Sequence, residues 1–161
     1  MINAIEQATT DFCTEIIGLK AYTAKSIGKE FYGAAIALYE NDIESQWYLL
    51  FKKHTLNEFS KALLFEDNLN EEDLDDLVKE IANMIIGSAK VILESNNKEN
   101  NYRISTPDFL GHVPSHKLLK LEEFLLYKLK NRSFLIGRRI ENWIKKTKNM
   151  LKLNYYLVMK V

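Results

Sequence analysis

A chain of 161 residues has the length of one compact domain and can bury roughly 70% of the surface its unfolded form exposes. Apolar residues make up 47% and charged residues 27%, which excludes a disordered or fibrous polymer. The 22 basic and 22 acidic side chains cancel, so no global field draws the molecule to nucleic acid or anionic lipid. One cysteine, Cys13, excludes an internal disulfide and a multi-thiolate metal centre. It fits a reducing compartment. Met1 to Ile5 carry no basic cluster leading into an apolar run, so no secretory leader is expected. Apolar stretches fall far short of the ~20 residues a membrane helix needs, and a cytoplasmic location follows as the expectation.

Residues 3–18 predict a first helix: Ile5, Ala8, Phe12, Ile16 and Leu19 recur at helical spacing, and Gly18 is a stop. Cys13 beside this face reads as a small buried hydrophobe rather than a reactive thiol. Between 21 and 53 the composition turns β-rich, in runs around Tyr22–Ala24, Phe31–Gly33, Ala35–Tyr39 and Trp47–Phe51. Asn41-Asp42 marks a turn, and two or three antiparallel strands are expected. Residues 55–65 return to helix, with Thr55 and Glu58 spaced as a capping box and Leu56, Phe59, Leu63 and Leu64 on the apolar side.

The longest helical pattern covers 71–95. Asn70 is placed to cap it, and Glu71, Glu72 and Asp73 fill a first turn where the helix dipole favours negative charge. After a polar break at Asn96–Asn101, residues 102–110 predict a strand ending near Pro107, with Gly111 as a turn. Strands follow at about 122–130 and 133–140, joined by a hairpin turn at Asn131-Arg132. Beyond 140, Trp143 to Lys148 reads as a short basic helix and Asn154 to Val161 as a loose strand. From Arg138 to Lys160 there are seven basic residues and one acid. Residues 1–140 are expected to form the domain, and 141–161 a basic C-terminal extension.

The helix over 71–95 carries the informative pattern. At 100° per residue, Asp76, Glu80, Asn83 and Gly87 fall within a sector of about 60°. Leu74, Leu77, Ile81, Met84, Ile85 and Ile92 gather on the opposite side. A solvated face is the plain explanation of such a stripe. Asn and Gly, however, each cost several tenths to ~1 kcal/mol relative to Ala inside a helix, and a purely solvated face would favour Lys, Glu or Gln. Gly87 also clears space beside Asn83. The stripe is composed for contact, but spacing alone leaves the partner open.

Asp76-x3-Glu80-x2-Asn83, continuing Met84-x2-Gly87, resembles the signature of the CheC/CheX/FliY chemotaxis phosphatases, and its single copy is most similar to CheX. Ile104-Ser105-Thr106-Pro107 followed by Gly111 is similar to the segment that follows the signature helix there. The resemblance spans about residues 3–140. It implies an α+β fold of CheC/CheX type, an antiparallel sheet backed by helices, with the motif on the exposed stripe of a long helix. It also implies a phosphatase acting on the aspartyl phosphate of a CheY-like response regulator. In that reading Glu80 and Asn83 are the catalytic pair. Asn83 orients the attacking water, because an amide donates and accepts hydrogen bonds at once. Glu80 pairs with the regulator's active-site lysine, and Asp76 and Gly87 contact the partner. No cofactor is expected on this chain; Mg2+ belongs to the regulator's own acidic residues. Pairing through an edge strand into a homodimer is a family trait the resemblance makes available. The competing function is a non-catalytic adaptor of the chemotaxis or flagellar-switch apparatus on the same fold.

His54, His112 and His116 are the only histidines. Pro114 breaks any helix that would bring His112 and His116 to one metal. Hydrolase elbows, Walker loops and dinucleotide glycine patterns do not occur.

Overall fold

The computed structural model describes residues 1–64 and 69–140. The helix and strand expected within 141–161, and that basic extension itself, lie outside the described residues. The chain opens with α1 (Ile2–Asp11), which runs into a π-helical turn over Phe12–Ile17. Gly18, at φ +82°, ends it, and the Leu19 N–H closes the wide turn on the Cys13 carbonyl at 2.9 Å. The expected helix over 3–18 is therefore one amphipathic segment whose last turn is widened. Such insertions occur as single turns and re-aim the side chains they carry.

Among the described residues, seven strands form one antiparallel sheet: β1 (Tyr22–Thr23), β2 (Phe31–Glu40), β3 (Ile43–Phe51), β4 (Tyr102–Ile104), β5 (Asp108–Val113), β6 (Glu123–Leu129) and β7 (Arg132–Ile140). Their order is β1-β6-β7-β3-β2-β4, with β5 also pairing with β2. The β2–β3 hairpin turns on Asn41 and Asp42, both at positive φ (50° and 67°), as a two-residue loop matched to strand twist requires. The Asn41 amide oxygen also accepts from the Asn101 N–H at 2.8 Å, and the Asn41 N–H donates to the Asn101 carbonyl at 2.8 Å. This bond pair ties the hairpin to the segment entering β4.

Four expectations are corrected. Residues 102–110 do not make one strand. Ser105–Pro107 interrupt it, and β4 and β5 pair separately with the two halves of β2, because Pro107 brings no N–H to a ladder. Gly111 lies inside β5 at φ +68°, beside a bulge opposite Gly33/Ala34, rather than in a turn. Thr55 does not cap the second helix. α2 (Lys53–Leu64) starts two residues earlier, and the buried Thr55 hydroxyl donates to the Ser133 carbonyl at 3.0 Å, so it pins the helix to β7. The β6–β7 turn is one residue earlier than expected, at Lys130-Asn131, with Lys130 at φ +55°.

Helices α1, α2 and α3 (Glu71–Asn96) contribute to the main core on one face of the sheet. Ile5, Ala8 and Phe12 from α1 and its wide turn, and Leu77, Ile81 and Ile85 from α3, meet Ile36, Leu38, Trp47 and Leu49. A smaller cluster of Ile27, Phe31, Leu50, Val113 and Leu135 closes part of the other face. Cys13 is fully buried, and burial pushes its thiol up to about 12. It packs as a small hydrophobe, as the sequence predicts. Burial likewise raises the Tyr127 phenol. Phe59 of α2 touches Phe12, Phe51 and Phe134 edge-on, with centroids 5.7, 5.8 and 5.9 Å away, the arrangement favoured by ring quadrupoles.

Candidate functional site

The site is carried by α3, and local chemistry defines its start. The Asn70 side chain accepts from the Asp73 N–H at 2.8 Å, while the Asp73 carboxylate accepts from the Asn70 N–H at 3.3 Å. This reciprocal pair is a capping box, and caps of this type contribute about 1 kcal/mol. The helix then runs 26 residues, roughly 39 Å at 1.5 Å per residue. Its inner face is anchored by nine buried residues from Leu74 to Leu93. Contacts with α1, β2, β4 and β5 hold it along that length, so its outward side chains stand on a rigid base.

Asp76, Glu80 and Asn83 are exposed on that outward face, and Gly87 is half-buried on the same stripe. A Cβ at Gly87 would meet nothing within 4 Å, so the space it leaves opens to the exterior. The four residues named from the spacing are thus brought together. Glu80 and Asn83, three residues apart, are separated by roughly 4.5 Å of helix rise. Among the described residues, neither side chain is engaged by a hydrogen bond or ion pair of its own chain. On one flank Lys79 pairs with Asp75 at 2.8 Å. That hydrogen bond, aided by the nearby charges of Asp76 and Asp108, raises the Lys79 ammonium above its ordinary value. Farther along, Lys90 pairs with Glu94 at 2.8 Å.

The opposite flank is apolar, which the sequence pattern does not register. A hollow of about 430 Å3 opens between the end of α2 and α3, lined by Leu63, Leu64, Asp76, Leu77, Glu80 and Met84. A second, of about 310 Å3, lies between the π-helical turn and α3, where Asp11, Glu15, Ile16, Met84, Ser88 and Val91 contribute to its lining. Met84 forms a wall of both. Spacing places Met84 with the core residues, yet it is only half-buried, because it sits at the edge of the helix's apolar arc. Leu64, expected on the packed side of its helix, is 48% exposed.

The histidines are dispersed. His112 pairs with Glu30, His116 sits between the rings of Phe31 and Phe124, and desolvation, with Arg132 and Lys52 nearby, lowers the pKa of His54.

The stripe does not by itself name a partner, but the fold has relatives. It matches the CheX chemotaxis protein of Vibrio vulnificus at 23% identity with a TM-score of 0.71, over 87% of this chain and 95% of that one. A CheC-like chemotactic protein of Shewanella oneidensis MR-1 matches at 22% identity and TM-score 0.67, over 87% and 97%. The structure of a CheX–CheY–BeF3–Mg2+ complex from Borrelia burgdorferi matches at 16% identity and TM-score 0.64, over 88% and 97%. No curated protein matches the chain. Among the described residues no helix is long and apolar enough to cross a membrane. The sequence model of the chemotaxis phosphatase CheX matches residues 32–121, more than half of the chain, a stretch that holds α3, strands β3, β4 and β5, and all of β2 but its first residue. On the strength of that match, the chain belongs to the CheX family of chemotaxis phosphatases.

Proposed function

We propose that this protein hydrolyses the aspartyl phosphate of a CheY-like response regulator in chemotaxis signalling. The observation that carries the reading is the pairing of Glu80 and Asn83 on one exposed face of a rigid helix, with no partner of their own chain among the described residues. Polar groups held outward and unengaged are free to enter another protein's pocket without first breaking internal bonds.

An acyl phosphate is already reactive, so catalysis requires positioning more than covalent chemistry. A water oxygen attacks phosphorus in line with the acyl oxygen. The bond from phosphorus to that oxygen breaks, and the products are inorganic phosphate and the regulator's free aspartate carboxylate. Asn83 accepts a hydrogen bond from this water through its carbonyl, and its NH2 donates to a phosphoryl oxygen. Glu80 forms a charge-assisted bond with the regulator's active-site lysine. Asp76, one turn earlier, adds negative charge at the margin, and Gly87 lets the regulator's surface approach the helix backbone. Mg2+ enters with the regulator as part of the substrate and neutralises phosphoryl charge there; this chain's residues orient and dock.

The deciding experiment measures phosphate release from a purified phosphorylated regulator with and without this protein. Faster release supports a phosphatase. A stable complex without faster release identifies an adaptor instead, and absence of both leaves the stripe as a solvated face. Within this reading, Glu80→Gln removes a charge and keeps the shape. It should raise the half-saturating concentration of phosphorylated regulator by about 10-fold, the effect of ~1.4 kcal/mol, and leave the rate at saturation nearly unchanged. Added salt should shrink the difference between the two proteins. An unaltered concentration dependence rejects the docking role.

A further inference from the structure

We infer that the apolar hollow between the end of α2 and α3 is a docking pocket for one large apolar side chain of the phosphorylated receiver domain, beside that domain's phosphoaspartate. The inference rests on the function proposed above and names the part of the surface that orients the complex. Its walls are Leu63 and Leu64 from α2 and Leu77 and Met84 from α3, and its mouth carries Asp76 and Glu80. Two of the stripe's own carboxylates are therefore lining residues of the hollow. Met84 is the immediate neighbour of Asn83 in the chain.

Proximity selects the occupant. An α-helix with its side chains is about 10–12 Å across. A partner that receives Asn83 close to its phosphorus must cover the surface around that side chain, and the hollow borders it, lined by Glu80 of the same stripe and by Met84, the next residue in the chain. The two flanks of the stripe also differ. One presents the Lys79–Asp75 ion pair; the other presents Leu64, 48% exposed, and, farther along, Ile16 at 44% and Val91 at 61%. Exposed apolar side chains gathered beside a polar stripe mark an interaction edge more than scattered ones do. The charges at the mouth suit a partner whose apolar side chain is adjacent to cationic groups, as in a phosphoaspartyl pocket that holds a lysine and Mg2+. An asymmetric rim of this kind admits the receiver in one orientation, in which Asn83 meets the phosphoryl group.

The test titrates full-length protein with a receiver domain loaded with beryllofluoride and Mg2+, a stable mimic of the acyl phosphate, and in parallel measures phosphate release. Leu64→Asp and Leu64→Ser are compared with wild type. Leu118→Asp is the control, since Leu118 is 66% exposed on the 3-10 turn at His116–Leu119, does not line the hollow, and neighbours Leu119, which packs against the smaller core cluster. Both Leu64 variants should weaken binding about 10-fold or more while the saturating release rate stays within about 2-fold. The weakening by the uncharged Leu64→Ser should persist at high salt, in contrast to that of Glu80→Gln. Leu64 is exposed, so thermal unfolding should remain near wild type. Binding by the Leu64 variants equal to wild type overturns the pocket and leaves the catalytic proposal standing. Equal weakening by Leu118→Asp overturns it as well. If the wild type neither binds the receiver nor speeds release, the proposed function fails and the pocket with it.

Discussion

Asn83→Ala should lower the rate of regulator dephosphorylation by about 100-fold or more while leaving binding of the phosphorylated regulator within about 3-fold. The expectation follows from what the side chain can and cannot do. It is exposed and makes no hydrogen bond within its own chain among the described residues, so truncation leaves no unsatisfied group and opens no cavity. Removing a preorganised hydrogen-bonding group from a transition state costs about 10²–10³ in rate, and each factor of ten is about 1.4 kcal/mol of barrier. The loss belongs in the rate at saturation, because water is positioned after docking. Stability should move the other way. Ala exceeds Asn in helix propensity by roughly half a kcal/mol, which at this chain length is a melting-temperature rise of roughly 1–2 °C. A more stable and inactive variant would show that the amide is retained against the folding preference of its helix. Asn83→Asp keeps the shape but cannot donate, and brings negative charge toward the phosphoryl group; it should be at least as slow. Single-turnover phosphate release alongside thermal unfolding checks both halves. A wild-type rate for Asn83→Ala removes this residue from the mechanism.

Phe59→Ala should destabilise the fold by about 3–5 kcal/mol, far more than any change on the outward stripe. Phe59 is fully buried in α2 and packs edge-on against Phe12, Phe51 and Phe134, where Phe51 and Phe134 are themselves stacked at 5.2 Å. Truncation removes the ring's burial, leaves a cavity and loses the edge-to-face contacts. A fall in melting temperature of roughly 6–20 °C is expected. Phe124→Ala, at a ring 45% exposed, should change stability by less than about 1 kcal/mol. Equal losses at the two positions, measured by denaturant unfolding, would contradict the core assignment. The change also bears on function. Phe59 seats α2, and α2 supplies the Leu63 and Leu64 wall beside the stripe. Below its melting temperature the Phe59 variant should therefore lose regulator affinity before it loses saturating rate.

The fate of individual residues separates local from non-local determination. Periodicity of 3.6, the Asn70 cap and the acidic first turn all act within a few residues of one another, so α3 and the outward stripe of Asp76, Glu80, Asn83 and Gly87 follow from the sequence and are found as expected. Asn41-Asp42 is likewise a local turn, set by two residues that tolerate positive φ. Thr55 shows the limit of such reasoning. Its spacing to Glu58 satisfies the capping pattern, yet a carbonyl 78 residues away on β7 claims its hydroxyl. Likewise, Pro107 marks the break within 102–113, but the pairing of both pieces with the two halves of β2, and the bulge opposite Gly33/Ala34, depend on a partner strand distant in the chain.

By itself, then, the sequence determined the long helix α3, its polar face and the antiparallel character of the sheet, because short-range hydrogen bonding and side-chain periodicity set these. The tertiary structure decided strand order, the burial of Thr55, and above all the apolar flank of the stripe. Leu64, Met84 and Ile16 come from three separate segments, and each is an ordinary amphipathic-helix residue in its own context. They border one stripe only because the sheet seats α2, α3 and the widened turn after α1 side by side, and packing between distant segments is not encoded in the period of any one of them.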